Sequence, residues 1–335
     1  MLAAAVVGAT FAPKALHHSP AAPVVRNVAS IRAAGAQGIE ALQGRLRAVP
    51  QDWRAWAALG SAYVQQARIT GDPTWYPRAE RSLKRSLFLE TKGNDVAMTG
   101  MGALAAARHD FAGALVWGNR AHAIDAYNAS AYGVIGDALI ELGRYPQAFD
   151  ALQRMVDLRP GLPAYARASY AWELQGNLDN AEHALRLALQ AAVAPADAAF
   201  ASYYLGELEW NRGRVSAAEA WYRQSAAHDA SFVPAMQGLA KIDAAHGRIA
   251  SSIARYETVV QRLPLPQYLV ELSDLYGGAG DAAGRQRVVD LLAVQERLFR
   301  ANGVNVDLEQ ALFDADHGVH VAAGLRAALA EWTRR

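Results

Sequence analysis

Between Ser130 and Pro160 the chain reads SAYGVIGDALIELGRYPQAFDALQRMVDLRP, and its apolar positions fall into two short runs. Tyr132, Ile135, Leu139 and Leu142 recur at steps of three and four, which places them on one stripe of an α-helix. Gly143 interrupts the run, where a helix end favours a left-handed residue. Phe149, Leu152, Met155 and Val156 form a second stripe, and Pro160 closes it. The pattern predicts two antiparallel helices joined by a tight turn. Gly136 on the first and Ala148 on the second fall at the expected crossing, where small side chains let the backbones approach closely.

The pattern recurs. Gly143, Gly176, Gly213, Gly247 and Gly280 hold equivalent turn positions, separated by 33, 37, 34 and 33 residues. Self-similarity at such a period is the mark of a solenoid, whose units share one continuous core. Trp56, Leu59, Gly60 and Tyr63 match the first half of the tetratricopeptide motif, and Ala148, Leu152 and Pro160 match its second half. The chain therefore resembles the tetratricopeptide repeat family. The resemblance implies an all-α, right-handed superhelical solenoid of antiparallel helix pairs. The runs QARITGDPTWYP, TGMGALAAARHDFAGAL, YYLGELEWN and ANGVNVDLEQALFDADHG further resemble a group of actinobacterial tetratricopeptide proteins of undefined role. That resemblance extends over nearly everything after residue 40. Members of the group carry more repeats after this stretch and an export or lipoprotein signal before it, so the chain is expected to be a fragment of a longer array.

Three regions follow. Residues 1–35 hold an apolar start, Leu2 to Ala12, and a Pro- and Ala-containing linker without periodicity. The start is short for a membrane span and has no basic segment ahead of it; it reads either as the tail of an export signal or as an alanine-rich tail. Residues 36–302 form the solenoid, a half repeat at Gly38 to Ala48 followed by about seven repeats. The first full repeat has an enlarged turn, Arg68 to Arg78, where Trp75 and Tyr76 are expected to pack on a neighbouring helix. The second repeat has an unusually small-sided first helix, VAMTGMGALAAAR, read as close packing or as the open floor of a ligand site. The seventh departs from the motif at Ser273 and Arg285. Residues 303–335 form a partial eighth repeat, with helices expected over Asp307 to Phe313 and Val321 to Trp332. It leaves Leu325, Leu329 and Trp332 uncapped, so self-association through this end is expected.

Composition narrows the chemistry. Hydrophobic residues make up 52% of the chain, ample for a solenoid core, and the net charge of +1 gives no field for nucleic acid. There are no cysteines, which removes disulfides and thiolate chemistry. GGAGDAAG at 277–284 imitates a dinucleotide loop but falls at a helix–helix turn in register with four others. No phosphate-loop, zinc-protease or nucleophile-elbow motif is present, and no enzyme or cofactor is expected. Asp314, Asp316 and His317, with His320 beside them, are the one cluster of metal-ligand types; they lack the calcium-loop pattern and read first as a helix end.

The resemblance implies that the first helices of successive repeats line a concave face. Carried over position by position, the lining residues are Thr99, then Asp137 and Glu141, then Arg167, Tyr170 and Glu173. The fifth repeat adds Tyr203, Glu207, Trp210 and Asn211, the sixth Lys241 and the seventh Asp274. The middle of this set is aromatic and acidic, as a peptide-binding face is, with Trp210 and Tyr170 as the expected anchors. The function expected is a non-catalytic scaffold that binds a protein, as a peptide or partner helix, in the groove. The alternative is an accessory protein outside the cytoplasm that binds a small ligand or metal through Asp314, Asp316 and His317. An exported or envelope-associated location is favoured over a cytoplasmic one.

Overall fold

The computed structural model describes residues 30–333 apart from residue 319, and the apolar start at Leu2 to Ala12 lies outside these. Among the described residues there is no strand. A single helix, α1 (Ser30–Ala48), precedes eight antiparallel pairs. They are α2 (Trp53–Thr70) with α3 (Trp75–Leu89), α4 (Asp95–Ala107) with α5 (Phe111–Ile124), and α6 (Ala129–Glu141) with α7 (Tyr145–Leu158). Next come α8 (Leu162–Leu174) with α9 (Leu178–Gln190), α10 (Pro195–Asn211) with α11 (Val215–His228), and α12 (Val233–Ala245) with α13 (Ile249–Arg262). The last are α14 (Pro266–Gly278) with α15 (Ala282–Ala301) and α16 (Asp307–Asp316) with α17 (Val321–Trp332). Helix α1 begins at Ser30, before the Gly38 at which periodicity starts it. No described helix is long and apolar enough to cross a membrane.

The turns are built as their glycines require. Gly143, Gly176, Gly213, Gly247 and Gly280 all have φ between 70 and 76°. The residue after each glycine donates its N–H back to the last helical turn: Arg144 to Leu139 O at 2.8 Å, Asn177 to Trp172 O at 2.9 Å, Arg214 to Glu209 O at 2.9 Å. This satisfies carbonyls that the helix end leaves open. The second repeat has no glycine here. His109 takes the left-handed conformation instead, at φ 59°, and Asp110 N–H reaches Ala105 O at 2.9 Å.

Each pair crosses at a small residue. A Cβ on Gly206 would stand 2.5 Å from Tyr222 Cε1, and one on Gly60 would stand 2.5 Å from Leu83 Cγ. In the fourth and sixth repeats a serine crosses instead, Ser169 Oγ donating to Ala181 O at 2.8 Å and Ser252 Oγ to Ala240 O at 2.9 Å. In the seventh repeat Ser273 is buried without such a bond, at the place where the motif is broken. The small-sided α4 is close-packed, since Cβ atoms on Gly100 and Gly102 would strike Leu83 and Val134.

After seven repeats the superhelix meets its own beginning. Val304 and Val306, in the link after α15, are buried in one cluster with Ala57, Leu59, Tyr76 and Leu104. Arg108 Nε donates to Asn302 O at 3.1 Å, Asn305 N–H donates to Arg108 O at 3.0 Å, and His109 Nδ1 lies 2.8 Å from Asn305 O. The enlarged turn expected over Arg68 to Arg78 is only residues 71–74, the rest being helical in α2 and α3, and this short turn makes a second crossing. Gly71 is pressed against the link between α13 and α14, so that a Cβ there would stand 2.9 Å from Leu263 Cδ1 and 3.1 Å from Leu265 Cδ2. Trp75 stacks on Tyr63 at 5.5 Å and Tyr76 is buried, so the two aromatics pack as expected.

The last pair docks through His317. Its Nε2 is 2.7 Å from Asp274 Oδ1 and its Nδ1 is 2.8 Å from Phe313 O. With both ring nitrogens facing acceptors, the imidazolium is favoured; the Asp274 carboxylate contributes most to raising the pKa, with burial and Arg285 acting against it. Leu325, Leu329 and Trp332 remain exposed on α17.

Two outcomes are expected. In the fifth repeat, Gly213→Ala should cost about 1 kcal/mol, because nothing crowds the added Cβ but φ is 73°. Gly213→Asn should recover part of that loss, and Gly206→Ala should cost about 1–3 kcal/mol from the clash with Tyr222. Chemical denaturation of the three variants checks the order. The second outcome concerns pH. A histidine whose folded pKa lies above its unfolded value stabilises fully below about 6.5, and that stabilisation is lost as pH rises through the raised value. Amide exchange in residues 307–333 should therefore accelerate relative to the other repeats as pH rises from about 6.5 through the raised value, and Asp274→Asn should remove the difference.

Candidate functional site

The first helices of the repeats line the concave side, and several polar side chains there bond across to the neighbouring repeat. Asn128 Nδ2 reaches Asp95 Oδ2 at 2.7 Å and Thr99 Oγ1 at 3.1 Å. Arg167 forms a two-pronged pair with Asp137, Nε to Oδ1 at 2.8 Å and Nη2 to Oδ2 at 2.9 Å. Asn211 Nδ2 donates to Glu173 Oε1 at 2.8 Å, and Lys241 Nζ holds both oxygens of Glu207 at 2.7 and 2.9 Å. Gln237 continues the ladder to both oxygens of Glu271 at 3.0 Å. The stacking of successive first helices sets these contacts, because it brings side chains of adjacent repeats face to face.

In the middle of this face lies a cavity of about 680 Å³, walled by α6, α8 and α10. Asp137 and Glu141 enter from α6, Arg167, Tyr170 and Glu173 from α8, and Tyr203, Glu207 and Asn211 from α10. All eight were expected in the groove. The other four expected residues do not line this cavity. Thr99 serves the hydrogen-bonded junction with Asn128. Lys241 reaches the cavity only through Glu207, and Asp274 is taken by His317. Trp210 packs beside the Ala218, Tyr222 and Ile242 cluster with the Lys241 ammonium 5.0 Å above its ring. The structure thus makes Trp210 part of the packing between α11 and α12, outside the cavity wall. Its spacing from Glu207 was consistent with either place, since a helical stripe three residues wide borders both.

Sequence reasoning missed Arg68, Phe111, Phe200 and Tyr204 in the lining. Phe200 and Tyr204 lie one turn apart on α10 and their rings meet at 4.6 Å, a spacing that was legible. Arg68 arrives from the last turn of α2, across the superhelix, and nothing in the repeat pattern places it there.

Charge in the cavity is negative. Asp137, Glu141, Glu173 and Glu207 face two guanidiniums, Arg68 and Arg167. Burial, then Glu141 and Glu173, raise the Tyr170 pKa. Burial also raises Tyr203 and Tyr204, with Arg68 working the other way at Tyr204. All three remain neutral phenols, and hence hydrogen-bond donors, at neutral pH. Tyr170 and Tyr204 keep 47% and 43% of their surface exposed.

The metal-ligand types near the C-terminus do not converge. Among the described residues no group of three or more His, Cys, Asp or Glu could hold a metal ion. His317 turns to Asp274, while Asp314 is buried, accepts from Gln310 Nε2 at 3.0 Å and lies 3.8 Å from His320 Nδ1.

Neither a protein-family model nor a curated protein matches the sequence. Solved structures do. A thermophilic TPR protein of Thermus thermophilus superimposes at TM-score 0.50 and 20% identity, over 57% of this chain and 98% of that one. Yeast Tom70 gives TM-score 0.54 at 14% identity, over 81% of this chain and 59% of that one. A tetratricopeptide repeat protein from Parabacteroides merdae gives 0.50 at 16% identity, over 79% of this chain and 99% of that one. At these identities the likeness is one of fold. The repeated helix pair, the left-handed turns and these superpositions agree: the chain folds as an all-helical tetratricopeptide-repeat solenoid.

Proposed function

We propose that the chain is a non-catalytic interaction scaffold whose concave cavity receives a short segment of a protein partner. The segment presents Arg or Lys beside an aromatic or apolar group. The observation that carries this is the pairing pattern inside the cavity. Asp137 is matched by Arg167 and Glu207 by Lys241, whereas Glu173 is bonded to the neutral amide of Asn211. The Glu173 charge stands beside the half-exposed ring of Tyr170, a combination that suits a guanidinium or ammonium lying over an aromatic face. A cavity of about 680 Å³ falls within the ~300–1,000 Å³ range of pockets that enclose small groups, and its aromatic walls supply the apolar contact.

Selection of displayed random peptides against the chain tests this. Enriched peptides should carry Arg or Lys next to an aromatic residue and should be depleted in Asp and Glu. Tyr170→Ala should weaken the enriched peptides about tenfold or more without changing the melting temperature, since the side chain is half-exposed. Glu173→Gln should weaken them less and flatten the salt dependence of association. Trp210→Ala should instead lower stability by about 2 kcal/mol or more, because it opens the packing between α11 and α12. Enrichment of acidic peptides, or affinities indifferent to both cavity variants, would overturn the reading.

A further inference from the structure

A second cavity lies at the start of the solenoid. It has a volume of about 640 Å³ and sits between α1, α2 and α3, sharing no lining residue with the concave one. Leu46, Trp56, Leu59 and Tyr63 form its apolar floor. Arg47 stands on one side, and Arg78, Arg81 and Arg85 stand on the other. The last three recur at steps of three and four along α3, so the helix presents them as one row.

Four guanidiniums around one cavity repel one another unless something neutralises them. No described carboxylate lies within ion-pair distance of any of the four. The nearby acids are engaged elsewhere, Asp52 with Arg45 at 2.5 Å and Glu80 with Lys84 at 2.6 Å and Arg108 at 2.7 Å. Arg78 lies 4.6 Å from the Trp75 ring and Arg85 lies 5.3 Å from the Phe88 ring, contacts that leave their charge uncompensated. Residues 1–39 contain no Asp or Glu. The chain as a whole has a net charge of only +1, so this concentration is local rather than a reflection of a basic protein. The polar groups of the floor are already satisfied: Trp56 Nε1 donates to Pro50 O at 2.9 Å, and Gln43 Nε2 donates to Tyr63 OH at 2.8 Å. What the cavity has to offer is therefore apolar surface below and unpaired N–H forks around the rim.

We propose that this cavity binds a phosphate monoester carried on an aromatic body. A phosphate monoester holds close to two negative charges near neutral pH and has three acceptor oxygens, which several guanidinium forks can share. The aromatic body lies on the Trp56 and Tyr63 floor. A carboxylate would satisfy one fork and leave the remaining arginines repelling.

Isothermal titration of the full chain with phenyl phosphate, inorganic phosphate and phenol tests both halves of the site. Phenyl phosphate is expected to bind at least tenfold more tightly than either fragment. Arg81→Gln/Arg85→Gln should weaken it tenfold or more with the melting temperature unchanged. Arg81→Lys/Arg85→Lys should recover part of the affinity, since charge returns without the forks. Arg154→Gln, on the distant helix α7, controls for general charge and should change nothing. Adenosine monophosphate and a phosphotyrosine pentapeptide then separate a free nucleotide from a phosphorylated side chain as the source; tighter binding of either than of inorganic phosphate supports the site. No binding of phenyl phosphate at millimolar concentration overturns the proposal. So does equal loss in Arg154→Gln, or inorganic phosphate binding as tightly as phenyl phosphate.

Discussion

The close crossing of two helices inside each repeat is the constraint on which everything else rests. At Gly60 and Gly206 there is no room for a methyl group, and at Ser169 and Ser252 the hydroxyl itself spans the gap to the opposite backbone. Backbones held this near fix the angle between the helices of a pair. The same large residue then serves the next unit, as Tyr222 does by filling the space beside both Gly206 and Gly238. One side chain thus sets both the crossing within a repeat and the step to its successor, so small, equal rotations accumulate along the array. Seven such steps bring the link after α15 onto the first repeats, where Val304 and Val306 enter a core begun by residues roughly two hundred positions earlier.

Regular spacing also decides which polar groups on the concave face remain available. When first helices stack side by side, side chains of adjacent repeats meet, and polar groups that lose water there find it favourable to pair. Asp137 with Arg167, Glu207 with Lys241 and Gln237 with Glu271 are consequences of this geometry. Such pairs stiffen the array and contribute little net attraction for a third party, because a partner would have to displace a bond already made. On the proposed scaffold reading, recognition falls to the positions where the ladder is imperfect. Glu173 meets an amide instead of a cation, and there Tyr170 and Tyr204 hold their rings half open.

Much of the fold was legible because it is local. A stripe at steps of three and four, a left-handed glycine and a small crossing residue act within about thirty residues of one another, so Gly143, Gly136 and Ala148 could be read directly. The concave helices were legible for the same reason, and Asp137, Arg167, Tyr170, Glu173 and Glu207 do meet in one cavity. What lay beyond local pattern was lost. His109 in a glycine's conformation is dictated by the turn and by its contact with Asn305, not by its own preference. Arg68 joins the cavity only because the superhelix curves round to it. Trp210 lies outside the cavity wall because a helix in a solenoid has two occupied sides, and periodicity gives the stripe without saying which neighbour it faces. The arginine row on α3 was readable as a row, but its significance depends on the engagement of the nearby acids elsewhere, which only packing reveals.

Closure of the superhelical turn limits what the concave side can hold. An open solenoid offers a channel along which an extended peptide can lie in register with the repeats. Here the turn between α2 and α3 is braced through Gly71 against Leu263 and Leu265, and residues 302–306 are stitched to Arg108 and His109. A peptide running the whole length would have to break these contacts, exposing Val304 and Val306 and leaving the Arg108 carbonyl unpaired. A segment of a few residues entering the cavity from its open side would disturb none of them. On the proposed scaffold reading, the closure therefore sets a threshold: a short segment meets the closed turn as it stands, and a long one must bring extra contacts that exceed the apolar burial and the hydrogen bonds that hold the ends together.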